Sequence, residues 1–200
     1  MRRLLSIPLA AAAVFALIAP TASAEELDAQ RAVSAPPWAS RSADSLIAPL
    51  AACPGQDRLD TSAPAQREAM HCMTEYARAH AGLPPLAPEA ELDASAAAKS
   101  DDVLRCDDFS HAACGRDFTY WMRETGYLST QCWRAGENLA WGADEEGTVR
   151  AIFRAWMRSP GHRENILGEF GSLGVGLRTG DLAGLGRVQV WTQHFGSHCE

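Results

Sequence analysis

The chain has 200 residues, of which 46% are apolar and 22% charged, and this composition is typical of one soluble globular domain with some additional chain. Acidic residues outnumber Lys and Arg by 25 to 18, which gives a formal net charge of −7 at pH 7. Nucleic acids and anionic lipid surfaces select basic faces, so this charge argues against both, and we expect no nucleic-acid partner.

The first 24 residues have the pattern of a secretory signal peptide. Two arginines precede an apolar stretch over residues 4–18, and Ala-Ser-Ala at 22–24 is a small-x-small cleavage sequence. Acidic Glu25 and Glu26 follow, where a membrane anchor would usually carry a stop-transfer cluster. We therefore expect a secreted, extracellular protein without a transmembrane anchor.

Residues 25–63 are rich in Ala, Ser and Pro and show no sustained apolar period. This composition predicts a flexible leader or linker ahead of the folded domain.

All six cysteines lie beyond the signal-like segment, and an even number in an exported chain predicts three disulfides. No Cys-x-x-Cys pair is present to favour a zinc-thiolate site. The spacing leaves several pairings open, and among them we expect Cys53–Cys72, Cys106–Cys114 and Cys132–Cys199.

From residue 64 onward the apolar residues follow helical spacing. Helices are predicted after Pro64, within 88–106, after Asp117 and over 148–158.

A period of two follows in the C-terminal part, over residues 173–178 and 188–193, with a Gly-rich connection between them. The two segments predict an antiparallel hairpin. Because a hairpin alone is marginal in water, we expect an α+β fold in which the apolar helix faces pack on a small antiparallel sheet.

Three polar segments lie at junctions between these predicted elements: Phe109-Ser110-His111, Gly136-Glu137-Asn138, and residues 159–165 with His162. Two imidazoles and a carboxylate suit a divalent metal such as Zn²⁺, or general acid and base chemistry. Each of the three side chains could equally have a purely structural role, as a partner of nearby backbone groups.

A further histidine, His194, lies on the last predicted strand and shares a face with Val188, Val190 and Thr192. It could reach the polar segments or face solvent, and we favour solvent.

Five ordered segments of the chain resemble the CAP superfamily, which comprises cysteine-rich secretory, antigen 5 and pathogenesis-related proteins and is also called the SCP-domain family. The segments are Phe-Ser-His at 109–111, GENLAWG at 136–142, AWMRSPGHRENIL at 155–167, LGVG at 173–176 and WTQHFG at 191–196. The likeness is to the bacterial secreted branch and implies an α-β-α sandwich over residues 64–200. It also implies a cleft lined by two His and two Glu, three of which match His111, Glu137 and His162.

The second cleft Glu of the family is missing. It is expected three residues after Trp156, where this chain has Ser159. With two imidazoles and one carboxylate, a zinc ion would be held more weakly unless Glu124 or Glu164 substitutes.

The resemblance implies an extracellular binding module rather than an enzyme, and we expect a monomer. Its partner would be a lipid, a sterol-like or other small apolar molecule, a cell-wall component or a protein. The alternative is a metal-dependent or serine-type extracellular hydrolase, since Ser110 with the three cleft residues offers the residue types of a catalytic triad. Against it, no Gly-x-Ser-x-Gly elbow is present, and Ser110 and His111 on an extended chain would point to opposite sides.

Overall fold

A computed structural model of the protein describes residue 36, residues 38–129 and residues 132–199. The predicted signal peptide and residues 25–35 of the predicted leader lie outside these residues. Among the described residues, no helix has the length and apolar character needed to cross a membrane.

Four strands form one sheet in the order β1-β3-β4-β2. They are β1 (Ala87–Pro88), β2 (Trp133–Gly142), β3 (Ser172–Leu182) and β4 (Leu185–His198). Strands β3 and β4 form the predicted antiparallel hairpin, β4 also pairs antiparallel with β2, and β1 runs parallel to β3. Strand β2 therefore lies at one edge of the sheet.

The described residues form five α-helices: α1 (Ala63–Ala81), α2 (Ala90–Arg105), α3 (Tyr120–Glu124), α4 (Val149–Arg158) and α5 (Pro160–Ile166). Helix α2 packs on one face of the sheet, while α1, α4 and α5 share the main apolar core with the other face. The α+β class and the α-β-α layering are confirmed.

Helix α2 lies unusually close to β3 because two strand residues facing it are glycines. A Cβ added to Gly174 would lie 2.1 Å from the carbonyl carbon of Leu92, and one on Gly176 would lie 2.3 Å from that of Ala96. The glycines therefore admit the helix backbone, and the polar residues on the inner side of α2 come within reach of β4.

Part of the predicted leader belongs to the folded unit. Leu46, Ala48 and Cys53 are completely buried. The Arg150 guanidinium of α4 donates to the Ala48 carbonyl at 2.8 Å and to Gln56 Oε1 at 2.6 Å. The expected boundary at residue 63 is thus too late. The sequence does not reveal this, because few apolar side chains and several hydrogen bonds to backbone carbonyls fasten the stretch, and such contacts leave no apolar period.

Strand β2 was not predicted, since Gly136-Glu137-Asn138 was interpreted as part of a junction. The segment lacks a clean alternation because polar Glu137 and Asn138 are both buried in it, one on each side of the sheet. Their burial depends on partners that only the folded chain supplies.

The structure contains the three expected disulfides, Cys53–Cys72, Cys106–Cys114 and Cys132–Cys199, with Cα–Cα distances of 5.7, 5.5 and 5.4 Å. The second closes the loop that carries His111.

Candidate functional site

The edge strand β2 reaches both layers of the sandwich through two consecutive residues. Glu137 lies opposite His194 of β4, and Asn138 lies opposite Gln193. Because successive side chains of a strand point to opposite faces, the first pair faces α2 and the second faces α1, α4 and α5. Each pair continues into a chain of buried polar groups.

The first set, which we call the titratable chain, consists of Ser95, His194, Glu137 and His111. Ser95 Oγ lies 2.7 Å from His194 Nδ1, and His194 Nε2 lies 2.9 Å from Glu137 Oε2. The other carboxylate oxygen, Oε1, lies 2.6 Å from His111 Nδ1. The side chains of His194 and Glu137 are 0% and 1% exposed, whereas that of His111 is 61% exposed. The chain thus runs from the interior to the surface.

The loop that carries His111 is also fastened through its main chain. Buried Lys99 of α2 donates from Nζ to the His111 carbonyl at 2.7 Å. One turn further on, the buried Asp102 carboxylate accepts from Arg116 and from the Trp121 indole at 2.7–2.9 Å. These contacts hold the loop against α2.

The second set, which we call the amide chain, consists of Thr74, Gln193, Asn138 and Asn165. Gln193 donates to Thr74 Oγ1 at 2.9 Å, and Asn138 donates to Gln193 Oε1 at 3.1 Å. Asn138 also donates to the His162 carbonyl at 3.1 Å, and Asn165 donates to Asn138 Oδ1 at 2.9 Å. This chain therefore holds α5, and with it the backbone of His162.

Electrostatics distinguish the two imidazoles. The hydrogen bond that His111 donates to Glu137 raises the pKa of His111, although burial opposes the shift. Burial lowers the pKa of His162, and the charge of nearby His111 lowers it further. Burial acts to raise the pKa of Glu137, but the hydrogen bonds from His111 and His194 outweigh it and the net shift is downward. As pH falls, His111 therefore takes a proton before His162 does.

The geometry does not fit the expected zinc site. Within residues 38–129 and 132–199, no three His, Cys, Asp or Glu side chains are grouped so as to hold a metal. Both oxygens of Glu137 are engaged by imidazoles, so its carboxylate orients His111 rather than offering a free ligand atom. Glu124 and Glu164, the two substitutes considered, are exposed.

The expectation that His194 faces solvent is wrong, because its side chain is completely buried. The sequence did contain the signal: His194 alternates with Val188, Val190 and Thr192, and such a stripe is typical of the buried face of a strand. His194 and Ser95 are thus the members of the titratable chain that sequence reasoning missed.

The arrangement of hydroxyl groups does not favour a serine hydrolase. Ser110 Oγ accepts from the Ala112 amide at 3.2 Å, and Ser159 occupies the N-cap position of α5. Ser95, His194 and Glu137 have the composition of a catalytic triad, but all three are buried. The carboxylate also lies on His194 Nε2, and the hydroxyl on Nδ1, which reverses the roles of the two nitrogens in such triads.

An aromatic pair includes a residue of the His111 loop. Phe109 is 45% exposed and meets the Trp141 ring edge to face, with 6.5 Å between centroids. Trp141 follows Glu137 by four residues on β2, so both side chains belong to the same face of the sheet.

The sequence matches a known family. The family model for the cysteine-rich secretory protein family, CAP, matches residues 73–195, which is more than half of the chain. An uncharacterized Bacillus subtilis protein, YkwD, is 34% identical over 125 residues, which make up 62% of this chain and 44% of YkwD.

Two solved structures share the fold. An extracellular Bacillus anthracis protein containing an SCP domain superposes with a TM-score of 0.51 at 24% identity, over 68% of this chain and 43% of that protein. An outer surface protein of Borrelia burgdorferi superposes with a TM-score of 0.57 at 15% identity, over 70% of this chain and 97% of that protein. The matched part of this chain spans less than half of the two Bacillus proteins.

Proposed function

Since the chain belongs to the cysteine-rich secretory protein family, CAP, we propose that it is an exported binding module that recognises a cell-wall saccharide. The ligand site is the cleft between His111 and His162 at the β2 edge. Export is supported by the signal-like segment at residues 1–24, by the three disulfides and by the description of the Bacillus anthracis protein as extracellular.

One observation carries the binding role: His111 is exposed although its Nδ1 is fixed on a buried carboxylate. An imidazole held in one orientation loses little conformational entropy when a ligand engages its other nitrogen, Nε2. Binding needs fewer fixed groups than catalysis, and no exposed nucleophile among the described residues contacts this imidazole.

The class of ligand follows from what lies beside the imidazole. The exposed Phe109 ring and its neighbour Trp141 offer an apolar edge, and His111, two residues after Phe109 in the same loop, offers a polar group. A sugar ring has an apolar face and a rim of hydroxyl groups, so it complements this pairing of groups. A purely apolar ligand would leave the imidazole without a partner.

The test is titration of the ¹⁵N-labelled protein with soluble N-acetylglucosamine oligomers and muropeptides. We expect chemical-shift changes at His111 and Trp141, and we expect His111→Ala to weaken binding by about threefold to tenfold, the loss of one neutral hydrogen bond. His80→Ala is the matched control, since His80 is an exposed histidine stacked on Tyr76 of α1.

Two results would contradict this function. Cleavage of the added oligomers, followed in the same samples by mass spectrometry, would make the protein a hydrolase. Saccharide binding that His111→Ala leaves unchanged, or no saccharide binding at all, would remove the cleft as its site.

A further inference from the structure

His194 is a completely buried imidazole with both ring nitrogens engaged. Nδ1 lies 2.7 Å from Ser95 Oγ and Nε2 lies 2.9 Å from Glu137 Oε2. A buried polar group that makes no hydrogen bond is costly, so an imidazole is retained in such a position only where both nitrogens find partners. The structure gives it two, and one of them belongs to the candidate cleft.

The partners determine which nitrogen carries a proton. An ionised carboxylate only accepts hydrogen bonds, so Nε2 of His194 must donate to Glu137. At the other end, Ser95 has one hydroxyl proton, and it can give this proton either to Nδ1 or to the Leu92 carbonyl 2.9 Å away. In the first case His194 is neutral and in the second it is an imidazolium, but Nε2 carries a proton in both.

We propose that His194 is a positioning residue of the cleft: its Nε2–H holds Glu137 Oε2, which aims Oε1 at Nδ1 of His111. Nδ1 of His111 is then the protonated nitrogen of the neutral ring, and Nε2 is left facing the cleft as a hydrogen-bond acceptor. A ligand that donates O–H or N–H, as saccharide hydroxyl and acetamido groups do, fits this acceptor. Only this last step rests on the proposed function.

Lys99 does not replace His194 in this role. It binds the main-chain carbonyl of His111, which locates the loop but leaves the imidazole free to rotate. The ring orientation depends on Glu137, and the orientation of Glu137 depends on His194. Removal of His194 is therefore expected to change the ring while the loop stays in place.

The test measures the tautomer of His111 by long-range ¹H–¹⁵N NMR in the ligand-free protein, above the pKa of His111. The wild type should show mainly the Nδ1–H form. His194→Leu should lower the fraction of that form at least twofold, since an unconstrained imidazole favours Nε2–H. His194→Gln, whose amide can still donate to Glu137, should restore most of it.

The matched control is Gln193→Leu, the neighbouring buried residue of β4, which faces the opposite layer. It removes a comparable polar side chain and breaks the amide chain, but the His111 tautomer should not change. If His194 had only a structural role, His194→Leu and Gln193→Leu would have the same effect on the His111 tautomer.

The proposal is overturned if folded His194→Leu protein keeps the wild-type tautomer of His111, or if His194→Gln fails to restore it. If His194→Leu does not fold, His194→Met takes its place, since its flexible apolar side chain fills the same space without a donor. A lowered fraction of the Nδ1–H form then supports the proposal, and an unchanged tautomer refutes it. The NMR test uses the ligand-free protein, so a failure of saccharide binding would not affect the measured tautomer of His111.

Discussion

The titratable chain and the amide chain have the same layout on opposite faces of the sheet. Each begins at a hydroxyl on a helix, passes through β4 and then β2, and ends at a histidine of the candidate site. They differ in chemistry and in what they hold. Ionisable groups fix the ring of His111, whereas amides fix only the backbone of His162. The support of the His111 ring should therefore respond to protonation, and the support of the His162 backbone should not.

The largest expected difference concerns stability. Glu137→Ala removes two hydrogen bonds to a carboxylate and leaves Nε2 of buried His194 without its partner, so we expect it to lower the free energy of unfolding by about 2–4 kcal/mol. Asn138→Ala, one residue away on the opposite face, removes neutral hydrogen bonds and should cost about 1–3 kcal/mol. Urea unfolding of both variants measures the difference, and an equal or reversed loss would contradict it.

The disulfide of the His111 loop provides a second comparison. Removal of Cys106–Cys114 by a double Ser substitution should destabilise the protein by about 2–4 kcal/mol and return the pKa of His111 toward its ordinary value, because the loop can then leave Glu137. The matched control is the double Ser variant of Cys53–Cys72, which should lose stability but keep the raised pKa of His111. NMR titration separates the two, and an equal change of the His111 pKa in both variants would show that the loop disulfide has no local role.

Much of the fold could be predicted from the sequence, because apolar periodicity reports which face of an element is buried. The spacing predicted α1 and α4, whose inner faces carry Met70, Met73, Ile152 and Phe153. It did not predict β2, where the buried side chains are polar, or the packing of Gln56, which is fastened by hydrogen bonds. Burial of polar groups depends on partners distant in sequence, and a local pattern does not record them.

The candidate site shows the same limit. His111, Glu137 and His162 were singled out as polar residues at element junctions and again through a family resemblance, and the structure brings His111 into contact with Glu137. His194 and Ser95 are 99 residues apart, and nothing local in the sequence predicts their contact. Counting ligand types has the same limit, because it does not reveal that both Glu137 oxygens are engaged by imidazoles.

A smaller effect should appear in the pH dependence of stability. Because the pKa of His111 is raised, the contribution of this imidazole to the stability of the protein is complete below its unfolded pKa near 6.5. That contribution is lost as pH rises through the folded pKa. The lowered pKa of Glu137 means that its stabilisation is present above its unfolded pKa near 4.5 and is lost as pH falls through the folded value. The pair therefore stabilises the protein most between about pH 4.5 and 6.5.

Urea unfolding of the wild type and of Glu137→Gln at pH 5.5 and pH 8.5 checks this window. The stability difference between the two proteins should be larger at pH 5.5, by less than about 1 kcal/mol, since solvent screens the exposed imidazole of His111. The difference between wild type and Asn138→Ala should be the same at both pH values, because the amide chain does not titrate. A pH-dependent loss in Asn138→Ala would show that the two chains are coupled.

The smallest effect is expected at two serines that lie close in sequence to His111 and His162. Ser110 lies in the loop of His111 and Ser159 precedes α5, and neither hydroxyl is expected to act as a nucleophile. Ser110→Ala and Ser159→Ala should each change the free energy of unfolding by no more than about 0.5 kcal/mol, as for surface substitutions, and should leave saccharide binding intact. A fluorophosphonate probe should label neither serine, since activation of a hydroxyl requires a general base in contact with it. If either serine were labelled, and His111→Ala or His162→Ala abolished the labelling, the protein would be a serine hydrolase. The variant that abolishes labelling would identify the histidine that acts as the base.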